Sequence, residues 1–150
     1  MVTTEDIDYL TNFIAESFLS AAVEHCPPCE GLYHDQRALF ARVRISGTWS
    51  GSVTIGFSET LARIAAGAVF HLTPEAVSSA DVVDLVGEFA NILGGNVKSL
   101  LTGHSYLSLP TVSAKATPDS LAMGEPMERW FRCCGEPLVV LVRLAQHAAA

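Results

Sequence analysis

The sequence contains few basic residues. Its 150 residues include 9 Lys and Arg against 16 Asp and Glu, which gives a formal net charge of −7. Proteins that bind nucleic acids present a basic patch to the phosphates, and the basic residues that cluster in this chain are Arg42 and Arg44 alone. The composition therefore argues against a nucleic-acid partner.

Long apolar runs are also absent. No stretch reaches the roughly 18 uncharged apolar residues that a membrane-spanning helix needs. The first residues, Met-Val-Thr-Thr-Glu-Asp, are acidic and lack the basic region that opens a secretory signal. We therefore expect a cytoplasmic protein with no membrane partner.

Cysteine is limited to two pairs, Cys26 with Cys29 and Cys133 with Cys134. The first pair has the spacing of metal-binding or redox cysteines. A four-thiolate zinc site would require both pairs to converge, but adjacent cysteines on a strand point to opposite faces. We predict no metal site and interpret the four as small apolar residues in a reducing compartment. A metal or redox domain remains the alternative.

The abundant residues are apolar, at 49% of the chain against 17% charged, which predicts one globular domain over residues 1–150. Apolar spacing predicts helices over 5–25, 59–70 and 79–102, the last ending near Gly103. Helix-start signals are Thr4, Ser58 and the tripeptide Thr73-Pro74-Glu75.

Alternating and β-branched segments predict strands between these helices. The predicted strands are 38–46, 52–57, 106–115 with Pro110 at a sheet edge, 127–134 and 138–145. Turns at 47–51 and 135–137 would close two hairpins, and 116–126 is predicted to be a loop. Because strands and helices are segregated, we predict an α+β fold: an antiparallel or mixed sheet with helices packed on it and the long helix exposed on one face.

The long helix carries an unusual polar face. Asp84, Glu88 and Asn91 fall within about 40° of one line along it. Gly87 lies one turn before Asn91, and Gly94 and Gly95 lie one turn after it, although each helical glycine costs roughly 1 kcal/mol relative to alanine. These glycines suggest that a large partner approaches the face closely, whereas a simple solvated face is the alternative interpretation.

The chemistry of these side chains is limited. Glu88 offers hydrogen-bond acceptors, Asn91 offers donors and an acceptor, and no serine or histidine is placed nearby as a nucleophile or base. An amide can, however, orient a water molecule. That role suits phosphoryl hydrolysis, in which the protein mainly aligns the attacking oxygen.

The pattern Asp84-x-x-x-Glu88-x-x-Asn91, continuing through Gly94-Gly95 to Lys98, resembles the CheC/CheX/FliY family of chemotaxis phosphatases. The hairpin sequence at 45–57, the alanines of the next helix and the segment at 107–112 are similar as well, so the resemblance covers roughly residues 38 to 115. Because a single motif is present, the chain is similar to the CheX branch.

The resemblance implies a phosphatase that hydrolyses the aspartyl phosphate of a CheY-like receiver domain in two-component signalling. It implies that Asn91 orients the attacking water and that Glu88 pairs with the active-site lysine of the receiver. Asp84, Gly87, Gly94, Gly95 and Lys98 would support partner binding. The Mg²⁺ ion would belong to the receiver, this chain would hold no cofactor, and a homodimer joined through sheet edges is expected. A receiver-docking module without catalysis is the alternative.

Overall fold

The fold is built on an antiparallel β-sheet, in a computed structural model that describes residues 1–114 and 126–147. The helices are α1 (Thr4–Leu19), α2 (Glu59–Phe70) and α3 (Ser79–Ser99), with a 3₁₀ helix at Glu30–His34. The strands are β1 (Glu24–His25), β2 (Leu39–Gly47), β3 (Trp49–Phe57), β4 (Ser105–Leu107), β5 (Thr111–Ser113), β6 (Pro126–Cys133) and β7 (Glu136–Gln146).

The sheet order is β1-β6-β7-β3-β2-β4, and β5 also pairs with β2. Two long hairpins, β2–β3 and β6–β7, meet where β3 pairs with β7 over the full length of β3. Every pairing is antiparallel. The predicted α+β fold is confirmed, including both hairpins.

The three helices cover one face of the sheet, with α3 packed on β2 and β3. Phe89 of α3 is fully buried between Phe18 and Phe57, with ring centroids 5.5 Å and 5.2 Å away in edge-to-face geometry. Burying a phenylalanine of this kind contributes roughly 1.5–3 kcal/mol, and such ring pairs add to it. This packing fixes α3 against the sheet.

The other face of the sheet has a smaller core, formed by Leu32, Ala38, Phe40, Trp130 and Val139. The segment 26–34 crosses it, and the ring of Tyr33 packs on Trp130. Tyr33 Oη and Trp130 Nε1 both donate to Glu128 Oε1, at 2.8 Å and 2.6 Å. Burial and this carboxylate raise the pKa of Tyr33. We call this segment the 26–34 strap.

The first predicted helix extended too far. α1 begins after Thr3, which forms a capping box with Asp6, and it ends at Ser20 in left-handed geometry with φ 53°. The backbone N–H of Val23 then donates to Asn12 Oδ1 at 3.0 Å, which turns the chain back along the helix. A side chain on α1 therefore ends the helix well before residue 25.

Three further predictions were wrong in detail. Thr73-Pro74-Glu75 opens a turn, not a helix, in which Ala76 N–H donates to Thr73 O at 2.9 Å. α3 ends at Ser99, and β3 begins at Trp49, inside the predicted turn. The predicted loop 116–126 lies outside the described residues except for Pro126, which begins β6.

The described helices also bear on the membrane question. Within residues 1–114 and 126–147, no helix combines the length and apolar character that a bilayer crossing requires.

Candidate functional site

The candidate site lies on the outer side of α3. Ser78 caps the helix by accepting from Asp81 N–H at 3.1 Å. Its inner side is anchored by a buried apolar stripe consisting of Val82, Leu85, Val86, Phe89, Ala90, Leu93 and Val97. The opposite side is therefore held in a fixed position and faces solvent.

Five residues form this outer line, which we call the α3 ridge: Asp84, Glu88, Asn91, Gly95 and Lys98. Asp84 and Glu88 are exposed, and the other three are half-buried. Apart from Gly95, which has no side chain, the ridge residues make no side-chain hydrogen bond or ion pair with any described residue. The structure thus brings the sequence-predicted polar residues together on one surface and leaves them without internal partners.

The glycines beside Asn91 have different environments. A Cβ at Gly95 would meet nothing within 4 Å, so this position opens to solvent. A Cβ at Gly94 would lie 2.3 Å from Val43 Cγ2, because Gly94 is buried where α3 crosses β2. The interpretation of Gly94 as clearing the outer face is therefore wrong. Its missing side chain lets the helix approach the sheet.

Gly87 is also buried, but less tightly. A Cβ there would have ordinary contacts, 3.5 Å from both Pro110 Cγ and Val112 Cγ2. Gly87 therefore faces the sheet edge formed by β4 and β5, and it does not form part of the exposed ridge. Of these three glycines, Gly95 alone lies where a partner could approach the helix closely.

An apolar shoulder lies beside the ridge at this sheet edge. Pro110 and Leu107 contact the helix at the Gly87 and Gly94 positions, and the neighbouring Leu109 is 87% exposed. Tyr106 is also exposed, but it pairs with Ser46 and points to the opposite face from Leu107. Leu109 therefore adds an exposed apolar side chain next to the proline that packs at Gly87.

The ridge can accept and donate hydrogen bonds but offers little else. Glu88 and Asn91, one helical turn apart, place a carboxylate and a carboxamide roughly 5–6 Å from each other at Cβ. Across residues 1–114 and 126–147, no three His, Cys, Asp or Glu side chains converge as metal ligands. The arrangement suits recognition and water positioning more than attack by a nucleophile of its own.

A second polar cluster was not predicted from the sequence. Asp8 of α1 accepts from Arg129 Nε at 2.8 Å and Nη2 at 2.7 Å, and its Oδ2 lies 2.7 Å from His25 Nε2. Burial raises the pKa of Asp8, but the hydrogen bonds from Arg129 and His25 outweigh it and the net pKa is lowered. The same bond raises the pKa of Arg129. We call these three residues the Asp8 cluster.

The Asp8 cluster ties α1 to the far edge of the sheet. Its members come from α1, β1 and β6, and Asp8 and Arg129 are 121 positions apart. No local pattern marks such a pairing, so sequence reasoning had no signal for it. Its three side chains contact one another, and the cluster lies on elements other than α3.

The chain is similar to known chemotaxis proteins. The family model described as chemotaxis phosphatase CheX matches residues 39–125, which include the whole ridge. No curated protein sequence matches the chain.

Three solved structures illustrate the similarity of fold. CheX from Vibrio vulnificus superposes with a TM-score of 0.77 at 17% identity, covering 95% of both chains. A CheC-like protein from a Shewanella species gives 0.75 at 18% identity, covering 93% of this chain and 94% of the other. CheX from Borrelia burgdorferi, in a complex with CheY, BeF3 and Mg²⁺, gives 0.72 at 16% identity, covering 97% and 100%.

Proposed function

The chain belongs to the CheX family of chemotaxis phosphatases, and from this premise we propose that it hydrolyses the aspartyl phosphate of a CheY-like receiver domain. The observation that carries the proposal is the pair Glu88 and Asn91, held on an exposed helix without internal hydrogen bonds in the described part of the chain. Unpaired polar groups on a rigid element are suited to act on another molecule.

Asn91 is the residue that orients the attacking water in this proposal. Its amide oxygen accepts a hydrogen bond from the water, and its NH₂ group donates to an acceptor in the receiver. The water is thereby aimed at phosphorus in line with the departing aspartate oxygen. Phosphoryl transfer needs little more than such alignment and charge neutralisation from the protein.

Glu88 acts as the recognition residue. Ionised, it presents two acceptor oxygens to the ammonium group of a lysine in the receiver active site. Such a pair fixes the position of α3, and with it the amide of Asn91 one turn further along. Asp84 and Lys98 extend the polar contact along the ridge, and the Mg²⁺ ion is contributed by the receiver.

A receiver partner is supported by one of the structural neighbours, because CheX from Borrelia burgdorferi crystallised with CheY. The described surface of this chain is compatible with a protein partner. Leu109, which precedes the Pro110 that packs at Gly87, is exposed, and Gly95 leaves room for close approach. Protein interfaces combine apolar contact area with groups that form direct hydrogen bonds.

The same proposal includes a cytoplasmic homodimer joined through sheet edges. At one edge of the sheet β1 covers two residues of β6, and at the other β4 and β5 are three residues each. β6 has eight residues, so the part of it that β1 leaves uncovered presents backbone groups that could pair with a second copy. Light scattering after gel filtration tests this, and a monomer mass at all concentrations would contradict it.

The deciding experiment compares Asn91→Ala with Asn96→Ala. A receiver is phosphorylated with a small-molecule phosphodonor, and phosphate release is followed with and without the protein. Asn91→Ala should lower the catalysed rate about a hundredfold, the typical cost of losing alignment. Asn96→Ala removes the same amide from the same helix, but Asn96 Nδ2 donates to Ile92 O at 2.8 Å and serves the helix itself, so its rate should stay close to wild type.

The two outcomes separate the function from its alternative. Equal rates for Asn91→Ala and wild type would refute the assigned role of Asn91. If wild-type protein binds the phosphorylated receiver in a titration but leaves its phosphate lifetime unchanged, the chain is a docking module without catalysis. Circular dichroism melting of both variants excludes misfolding as the cause.

A further inference from the structure

The 26–34 strap begins with two cysteines held in a defined geometry. Cys26 N–H donates to Trp130 O at 3.2 Å, and Cys29 O accepts from Leu32 N–H at 2.9 Å. Both side chains are half-buried at the rim of the smaller core. The backbone of each cysteine is therefore fixed, one against β6 and the other by the 3₁₀ helix.

The connection between the two cysteines is stiff. Pro27 and Pro28 have fixed φ and no N–H, so the intervening chain has few accessible conformations. The Cys29 thiol donates to Pro27 O at 3.7 Å, a contact within this connection. Burial raises the pKa of the Cys26 thiol, and the nearby Cys29 thiol adds to the rise. Two cysteines separated by two residues, with both backbones held at one rim, are placed where their sulfurs can meet.

A cation lies beside one of the two sulfurs. Arg132 Nη2 is 3.8 Å from Cys29 Sγ, and Arg132 Nη1 donates to Gly135 O at 3.1 Å, which holds the guanidinium in place. The same charge also acts on Cys26, where it partly offsets the rise of the thiol pKa. The guanidinium contact distinguishes Cys29 from Cys26, because the positive charge can neutralise negative charge that develops on Cys29 Sγ during thiol–disulfide exchange.

We infer that Cys26 and Cys29 form a reversible dithiol–disulfide pair, which makes the strap a site of thiol oxidation by small-molecule disulfides. The Cys29 thiolate attacks one sulfur of glutathione disulfide, forming a mixed disulfide and releasing one glutathione thiolate. Cys26 then loses its proton to that thiolate or to water and attacks Cys29 Sγ, which releases the second glutathione. Two electrons pass from the protein dithiol to glutathione disulfide, which becomes two glutathione thiols.

The other two cysteines provide an internal comparison. Cys133 is buried, and burial together with adjacent Cys134 raises its pKa to about 12. Cys134 is exposed, with φ 53° in the β6–β7 turn. Within the described residues no guanidinium contacts the sulfur of Cys133 or of Cys134, so neither combines exposure, a neighbouring cation and a facing thiol. The redox pair therefore lies in the strap alone and does not depend on the phosphatase activity.

The test equilibrates the full chain in glutathione buffers of increasing oxidised fraction. Samples are quenched in acid, alkylated and measured as intact protein and as peptides by mass spectrometry. The expected result is loss of two hydrogen atoms in the peptide that contains Cys26 and Cys29, with a titration that follows a two-electron equilibrium. Free alkylation of both thiols throughout the series, or glutathione adducts without an internal disulfide, would overturn the inference.

Variants assign the separate roles. Cys26→Ser should trap a glutathione adduct on Cys29, whereas Cys29→Ser should leave Cys26 mostly unmodified. Arg132→Gln should lower the alkylation rate of Cys29 severalfold at neutral pH. An unchanged rate would contradict the role of the cation.

The double variant Cys133→Ser/Cys134→Ser is the matched control, and it should keep the wild-type titration. A shifted or lost titration in this control would refute the assignment to the strap.

Discussion

The α3 ridge and the Asp8 cluster use similar side chains in opposite ways. In the Asp8 cluster a carboxylate accepts three short contacts from an arginine and a histidine of other elements. On the ridge, the carboxylates and the amide have no partner within the described residues. Polar groups satisfied inside the chain hold the fold together, whereas polar groups left unsatisfied on a fixed helix are available to another molecule.

The two sets of polar side chains also differ in their exposure to solvent. The side chains of Asp8 and Arg129 are 26% and 27% exposed, so their charges have lost part of their hydration and depend on each other. Asp84 and Glu88 are exposed and remain hydrated. We therefore expect mutations in the Asp8 cluster to act on stability, and mutations on the ridge to act on the partner reaction.

The largest expected effect is that of Glu88→Lys on phosphate release. Reversing this charge opposes the receiver lysine with a like charge, and such contacts cost several kcal/mol. Receiver dephosphorylation should fall about a hundredfold or more, whereas the free energy of unfolding should stay within about 0.5 kcal/mol of wild type. Steady-state phosphate release and urea denaturation measure the two quantities.

A charge control accompanies this variant. Glu75→Lys makes the same change in net charge at an exposed position in the turn before α3. If Glu75→Lys slows the reaction as much as Glu88→Lys does, the effect belongs to the overall charge of the protein and the comparison between the two clusters fails.

The next effect is that of Asp8→Ala on stability. The substitution leaves Arg129 and His25 facing each other without an acceptor. Removing one member of a buried ion pair costs roughly 3–5 kcal/mol, and we discount this to about 1–2 kcal/mol because the pair is about a quarter exposed. Urea denaturation measures the loss, and phosphate release at 25 °C should remain close to wild type.

Glu16→Ala supplies the control on the same helix. Glu16 is exposed and its side chain accepts one long contact, 3.4 Å from Asn12 Nδ2. Its removal should change stability by less than about 0.5 kcal/mol. An equal loss in Asp8→Ala and Glu16→Ala would show that the cluster contributes no more than an ordinary surface residue.

The ridge could be predicted from the sequence because its geometry is local. Helical spacing alone places Asp84, Glu88 and Asn91 on one line, and the apolar stripe fixes which side faces the sheet. The same reasoning gave both hairpins and the α+β arrangement. These features depend on residues that are near each other in the chain.

The parts that could not be predicted depend on distant residues. The pairing of Asp8 with Arg129 spans 121 positions, and the burial of Gly94 is decided by Val43 on another element. The early end of α1 depends on a loop that folds back to Asn12. In each case a tertiary contact outweighs the local pattern.

A smaller effect is expected from Gly94→Ala, which tests where the ridge ends. The new methyl group would lie 2.3 Å from Val43 Cγ2, and Val43 is fully buried. Overpacking costs roughly 1–3 kcal/mol, partly offset by about 1 kcal/mol of helix propensity. We expect a net loss of about 1 kcal/mol in urea denaturation, which Val43→Ala should relieve in the double variant.

Gly95→Ala is the matched substitution on the outer side. Its methyl group meets nothing within 4 Å, so helix propensity should raise stability by up to about 1 kcal/mol. If the receiver approaches closely at this position, the same variant should dephosphorylate it more slowly. A loss of stability in Gly95→Ala, or a gain in Gly94→Ala, would contradict the conclusion that Gly94 faces the sheet and Gly95 faces solvent.

The smallest effect is a pH dependence confined to the Asp8 cluster. The pKa of Asp8 is lowered in the folded protein because the hydrogen bonds from Arg129 and His25 outweigh the cost of burial. In the unfolded chain an aspartate titrates near its ordinary value of about 3.9. The unfolded state therefore binds a proton first as the pH falls. The contribution of Asp8 to stability is complete above that value and is lost as the pH falls through the lowered folded pKa.

This dependence is measured by urea denaturation of wild type and Asp8→Asn from about pH 6 to about pH 3. Asp8→Asn keeps the size of the side chain but cannot titrate. The stability difference between the two proteins should be constant from about pH 6 to pH 5 and should shrink below about pH 4. The corresponding ridge variant, Asp84→Asn, should show no such convergence, because Asp84 is exposed and lacks a partner among the described residues. A constant difference for Asp8→Asn down to the lowest pH would mean that the ionised carboxylate is not what binds Arg129 and His25 to α1.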